Sequence, residues 1–219
     1  MPAGNGAQEL YRRIHAASHL IAGGLHVYDG HLHDPDPVQR ALKCDQAMEP
    51  VFALLARLKD AGLPVPRLVA GGTPTFPFHA RRDGVECSPG TCVFWDAGYG
   101  SKLKDLDFLH GALVLTRVVS KPLPNQLCLD LGHKAVASEN PHPRVLFPQL
   151  PDAEAISHSE EHLVVQTSRA DAFQVGDALY GIPWHICPTV ALHAEAVVIR
   201  DGQASGVWTI PARERRLAI

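Results

Sequence analysis

The spacing of apolar positions divides the chain into two stretches of different rhythm. Before about residue 109, helical and strand-like segments alternate. Glu9 to Ala17 reads as a helix. Leu20 to Tyr28 (LIAGGLHVY) reads as a buried strand interrupted by two glycines. Pro37 to Ala61 carries Val38, Leu42, Met48, Val51, Leu54, Leu55 and Leu58 at roughly helical spacing and predicts a long helix. Gly62 and Pro64 end it. Arg67 to Ala70 and Val85 to Cys87 predict short strands, the first running into Gly71-Gly72-Thr73-Pro74-Thr75. This strand, helix, strand order predicts a parallel α/β layer or barrel.

The second stretch has a shorter period. Ala112–Ser120, Asn125–Leu131, His162–Gln166, Ala194–Arg200 and Gly206–Ile210 are strand-like and separated by turns such as Asp201-Gly202. They predict an antiparallel β-domain. The boundary falls within residues 105–112, giving an α/β part over 1–108 and a β part over 109–219.

Composition narrows the classes. Of the 219 residues 46% are apolar, which excludes global disorder, and the formal net charge of −3 excludes a general basic field for nucleic acid. No apolar run is long enough to span a bilayer, and Met1 to Leu10 lacks the pattern of a signal peptide. The five cysteines, Cys44, Cys87, Cys92, Cys128 and Cys187, are odd in number and irregularly spaced. They form no disulfide framework and point to a reducing cytoplasm.

Several short motifs offer chemistry, each with a plainer alternative. Gly71 to Thr75 closes a strand. Its glycines allow close backbone approach and an anion nest, and its threonines add hydroxyls, but an ordinary turn between strand and helix would look the same. In Gly181-Ile-Pro-Trp-His185-Ile-Cys187-Pro-Thr189, a histidine nitrogen and a cysteine thiolate suit zinc. On an extended segment an H-x-C spacing points both the same way. The alternative is a buried cysteine beside a packing histidine. Tyr28-Asp29-Gly30-His31 follows a strand, where a barrel enzyme places a ring-stacking tyrosine or an acid–base histidine; a solvated loop reads equally well. Glu86 to Thr91 turns at Pro89-Gly90, and its Ser88 and Thr91 are candidates to assist the Gly71 turn. Cys92 reads as a small buried residue. Lys134, the Ser159-Glu-Glu-His162 cluster and the closing Arg213–Arg216 run read as solvated surface.

Taken in order, YDGH, GGTPT, VECSPGT, DLGHKAVASE, SEEH, IPWHICPT and WTIPAR resemble the D-threonine aldolase and D-serine dehydratase family, from about Leu20 to Arg216. The resemblance implies part of an alanine-racemase-like (β/α) barrel followed by an antiparallel β-domain. It implies pyridoxal 5'-phosphate, with Gly71, Gly72 and Thr73 at the phosphate and Tyr28 near the cofactor. It implies a divalent metal, zinc or manganese, on His185 and Cys187, and His31 as a candidate catalytic group. The substrate class it implies is a small D-amino acid. Cleavage of D-threonine to glycine and acetaldehyde and elimination of D-serine to pyruvate and ammonia both stay open, because a cysteine at the second ligand is typical of the dehydratases and an aspartate of well-known D-threonine aldolases. None of the six lysines, Lys43, Lys59, Lys102, Lys104, Lys121 and Lys134, lies in the context of the family's Schiff-base lysine. The expectation is therefore an incomplete enzyme. The alternatives are a non-catalytic metal- or phosphate-binding fragment, or a homodimer, which would still lack the lysine-bearing strand.

Overall fold

Asp36 opens the longest helix by accepting the Val38 amide on its carboxylate, and Pro37 takes the first helical position, where its missing N–H costs nothing. The structure is a computed structural model and describes residues 1–214, 216 and 217. Contacts divide the chain into two units, one of Met1–Cys92 and Lys102–Asp107, the other of Val93–Ser101 and Phe108–Ile219.

The first unit runs α1 (Asn5–Ala16), β1 (Leu25–Val27), α2 (Pro37–Asp60), β2 (Leu68–Ala70), α3 (Phe76–His79) and β3 (Val85–Cys87). The three strands form a parallel sheet in the order β1-β2-β3. Helix α2 ends where Gly62 N–H donates to the Lys59 carbonyl and Leu63 N–H to that of Leu58, which satisfies carbonyls left over at the helix end. Leu58 and Leu63 then share one apolar cluster with Tyr11 and Leu54.

Two expectations are corrected in this unit. Only Leu25–Val27 of the Leu20–Tyr28 segment is strand, and Leu20 and Ile21 are exposed. Pairing begins where Leu25 N–H meets the Arg67 carbonyl, so the residues before it have no partner strand. On α2 the buried stripe is Arg40, Cys44, Met48, Val51, Leu54 and Leu58. A charged residue heads that stripe, which leaves Val38 and Leu42 facing solvent.

In the second unit α4 (Ala97–Lys102) precedes the strands β4 (Val114–Ser120), β5 (Gln126–Leu129), β6 (Val145–Leu146), β7 (Glu154–His158), β8 (Leu163–Gln166) and β9 (Ala178–Pro183). They form an antiparallel sheet in the order β6-β9-β4-β5-β8-β7. Its core gathers Val114, Val118, Leu127, Leu129, Leu163 and Leu179 with Leu131, Val136, Phe147 and Leu150 from the connections. A five-residue helix, α5 (Ile186–Val190), leads to a hairpin of β10 (Glu195–Arg200) and β11 (Gln203–Thr209). Val197, Ile199, Val207 and Trp208 of that hairpin are exposed. Pro211–Glu214 make a short 3-10 turn; of the Arg213–Arg216 run, Arg215 lies outside the described residues. Among the described residues no helix is long and apolar enough to cross a membrane.

Candidate functional site

In the first unit the chemistry gathers at the C-terminal ends of β1 and β2. Gly71 takes a φ of +79°, and a Cβ there would lie 2.4 Å from the His79 ring, so only glycine allows the turn to close over that histidine. Asp29, 5% exposed, accepts the Gly72 amide at 3.1 Å and the Thr75 hydroxyl at 2.8 Å on one carboxylate oxygen. Its other oxygen meets His79 Nε2 at 2.8 Å. Burial would push the Asp29 carboxyl up, but the hydrogen bonds from His79, Thr75 and the Gly72 amide outweigh it and hold the group below its ordinary value. Arg40 braces the far side of the turn. It is fully buried, with Nε donating to the Pro74 carbonyl at 2.9 Å, Nη1 to the Asp34 carbonyl at 2.5 Å, and Nη2 to the Asp105 carboxylate.

Asp29, Cys44 and His79 bring three ligand-type atoms within 4.8 Å of one another. The surrounding bonds argue against a cation there. The Arg82 guanidinium has only donors, so at 2.9 Å from His79 Nδ1 it requires a lone pair on that nitrogen. The ring proton then sits on Nε2 and points at Asp29. Arg82 also lies 3.5 Å from Cys44 Sγ, so an ion would face a guanidinium. These residues build the glycine turn.

The turn fits an anion only in part. Gly71 N–H is spent on the Val27 carbonyl at 2.8 Å and Gly72 N–H on Asp29. Thr73 is buried and accepts the Cys92 amide at 3.4 Å, which leaves its hydroxyl proton to donate. Ser88 donates to the Gly71 carbonyl at 2.9 Å, so the Glu86–Thr91 turn does reach the glycines. Tyr28 offers a flat face. Its ring is 70% exposed and lies close enough to Gly72 that a Cβ there would stand 3.3 Å from Cε2. His31 sits exposed on the turn after Asp29, and Cys92 is half-buried where full burial was expected.

In the second unit His185 and Cys187 come together by a different route from the one expected. His185 is extended, at φ −132°, but it caps α5, and Cys187 lies inside that helix. The helical turn, and not strand alternation, makes them neighbours: their side chains hydrogen-bond. That bond, with a second one to Glu139, pushes His185 up to about 9 against the opposing effect of burial. Glu139 Oε1 lies 2.5 Å from His185 Nδ1.

The loop is braced by its backbone. Asp96, 3% exposed, accepts the Tyr99 amide at 2.9 Å on one oxygen and the Ile186 amide at 3.0 Å on the other. Gly98 N–H donates to the Trp184 carbonyl at 2.9 Å, and a Cβ on Gly98 would lie 2.5 Å from that oxygen. Trp95, just before Asp96, holds a φ of 52°, a conformation that costs a side-chain-bearing residue about 1–3 kcal/mol. Ring contacts with Tyr99 and Phe108, at 5.8 and 5.2 Å between centroids, keep it there. No motif in the sequence advertised Trp95-Asp96, and Glu139, the last residue of DLGHKAVASE, was given no role there. Asp96→Asn turns a donor toward one of the two amides, and we expect it to cost about 1–3 kcal/mol. Thermal unfolding, with Trp184 fluorescence as the local readout, checks this. Lys134 stands in solvent between Glu160 at 3.0 Å and Glu161 at 2.7 Å.

A family profile described as "Putative serine dehydratase domain" matches residues 111–199, the stretch that holds Glu139, His185 and Cys187. A D-threonine aldolase of Arthrobacter sp. is 34% identical over 196 residues, which is 87% of this chain and 51% of that protein. A 3-hydroxy-D-aspartate aldolase of Paracoccus denitrificans is 28% identical over 215 residues, or 94% of this chain and 54% of that protein. The crystal structure of D-threonine aldolase from Filomicrobium marinum superposes with a TM-score of 0.89 at 27% identity, covering 97% of this chain and 58% of that one. At the level of fold alone, D-threo-3-hydroxyaspartate dehydratase, solved as a cysteine-to-alanine mutant in the metal-free form, matches at a TM-score of 0.71 and 21% identity over 95% of this chain and 61% of that one. The chain spans about half the length of the curated relatives it matches.

Proposed function

We propose, for a chain that belongs to the D-threonine aldolase and D-serine dehydratase family, a part in a pyridoxal-phosphate- and divalent-metal-dependent lyase acting on β-hydroxy D-amino acids, of the D-threonine aldolase type. The observation that carries this reading is the His185–Cys187 pair, a nitrogen and a sulfur donor side by side on a braced turn. Two protein ligands leave positions for water and substrate, as a catalytic metal requires. A zinc or manganese ion there would polarise the substrate's β-hydroxyl.

The residues of the first unit fit pyridoxal phosphate less fully. Tyr28 would pack on the ring, and the Thr73 hydroxyl would serve the phosphate beside Gly71 and Gly72, whose amides already have protein partners. The cofactor, when bound, supplies an electron sink for the bond that breaks next to the amino group. His31, on its exposed turn, is the candidate to move a proton. The attachment lysine is assigned to the portion of the relatives' length that this chain does not span, and three strands of the barrel to the portion that it does. The odd number and irregular spacing of the five cysteines are the ground for placing this reading in the cytoplasm.

Cys187 favours a second reading, D-serine dehydration, because it occupies the ligand position where the resemblance gives dehydratases a cysteine. The spent glycine amides favour a third, a metal-binding fragment without catalysis. One preparation separates them. The purified chain is analysed for bound metal and assayed on D-threonine and D-serine, alone and with a lysine-bearing N-terminal half of a relative added. We expect a bound divalent ion, lost in His185→Ala, and glycine from D-threonine only when the added half is present. Pyruvate from D-serine under the same condition selects the dehydratase. Metal without turnover in either mixture selects the fragment. A parent chain that binds no metal overturns the proposal.

A further inference from the structure

Glu139 reaches His185 through a built connection. The segment carrying it is tied to the metal loop at three points. His193 Nε2 donates to the Ala135 carbonyl at 2.8 Å, Ala137 N–H donates to the Thr189 hydroxyl oxygen at 3.1 Å, and Trp184 N–H donates to the Arg144 carbonyl at 2.8 Å. Thr189, 2% exposed, passes its own proton to the His185 carbonyl at 2.8 Å. One hydroxyl therefore fixes the Ala137 backbone against the His185 backbone, and Glu139 follows two residues later with its carboxylate on Nδ1.

A carboxylate on one ring nitrogen has a recognisable consequence. It accepts a hydrogen bond from Nδ1–H, which selects the tautomer with the lone pair on Nε2 and makes that nitrogen a stronger donor. It also stops the ring from rotating. We infer that Glu139 is a positioning residue, which orients His185 through Nδ1 so that Nε2 and the Cys187 sulfur present themselves together to a divalent metal. Glu139 is not a third ligand. Among the described residues the one set of three donor atoms lying within 4.8 Å of one another is Asp29, Cys44 and His79, so Glu139, His185 and Cys187 do not converge on a single point. This inference rests on the metal reading given above.

The test uses Co(II) and Zn(II) with the purified chain and the variants Glu139→Ala, Glu139→Gln and His185→Ala. Affinities are read by competition with a chromophoric chelator, and Cys187 ligation by the sulfur-to-cobalt absorption band. We expect Glu139→Ala to weaken binding by about 10–100-fold. Glu139→Gln keeps an acceptor for Nδ1–H and should fall between it and the parent. The nitrogen-15 signal of His185 Nδ1–H should persist in the parent and in Glu139→Gln and be lost in Glu139→Ala, a change that an exposed residue serving only the fold would not produce. X-ray absorption should show the same nearest atoms around the metal in all Glu139 variants. Unchanged affinity in Glu139→Ala, with binding lost in His185→Ala, overturns the inference and leaves the metal reading standing. So does an oxygen neighbour that disappears with the Glu139 side chain. A parent chain that binds neither ion overturns both.

Discussion

Arg40→Ala will lower stability by about 3–5 kcal/mol, because it removes one partner from a buried charge network and leaves the others unpaired. The cost arises from what remains. The Asp105 carboxylate loses its buried guanidinium, and the Pro74 and Asp34 carbonyls lose their donors. The Phe78 ring also loses the cation 5.5 Å from its centroid. Arg40→Lys should recover little, since a single ammonium cannot reach three acceptors set in three directions as a planar guanidinium does. Chemical denaturation, with amide exchange along α2 as the local measure, checks both variants. A loss within experimental error for Arg40→Ala would mean that the turn stands without this brace.

Asp29→Ala is expected to match that effect at about 3–5 kcal/mol, because the Gly72 amide, the Thr75 hydroxyl and the His79 Nε2 proton all lose their buried acceptor at about 1–3 kcal/mol each. Its informative companion is Asp29→Asn. An asparagine oxygen can still accept from Gly72 and Thr75, but its amide nitrogen would face the His79 Nε2 proton. His79 cannot answer by moving that proton to Nδ1, because Arg82 already donates there. No tautomer satisfies both neighbours, so the isosteric change should still cost about 1–3 kcal/mol. Acid dependence separates the charge from the shape. The folded Asp29 carboxyl lies below its ordinary value near 3.8. Its contribution is therefore fully present above that value and is lost as pH falls through the lowered folded value. The parent should weaken through that window, and Asp29→Asn should show a shallower slope there. Equal slopes in the two proteins would contradict the assignment.

Much of this architecture was legible in the chain because period and burial agree there. The run from Pro37 to Ala61 carried a helical repeat and both end signals, and α2 ends one residue from where they placed it. Strands β3, β4, β5 and β8 sit inside or within two residues of their predicted spans. The strands that escaped notice had reasons to hide. The inward positions of β9 are Leu179, Gly181 and Pro183, and two of those are residues that normally mark turns. Gly181 is there because a Cβ would lie 2.4 Å from Val145 and 2.9 Å from Val114 on the neighbouring strands. Strand β7 lies at the sheet edge with a bulge between Ala155 and Ser157, which breaks its alternation. At the candidate site, His185 and Cys187 were nameable from residue type and resemblance, whereas Asp96 was not. Its partner amide is 90 residues away, and a carboxylate that serves a distant backbone N–H leaves no mark on local spacing.

The bracing of the loop that carries His185 and Cys187 bears on which side chains position 187 can hold. Its supports are the Trp184 amide and carbonyl, the Ile186 amide, and the Thr189 hydroxyl on the His185 carbonyl. None of these bonds uses the side chain at position 187. On the metal reading proposed above, a carboxylate in place of the thiolate at 187 would break none of these bonds. The donor offered at 187 and the folding information that holds the loop are in that sense separate parts of the sequence.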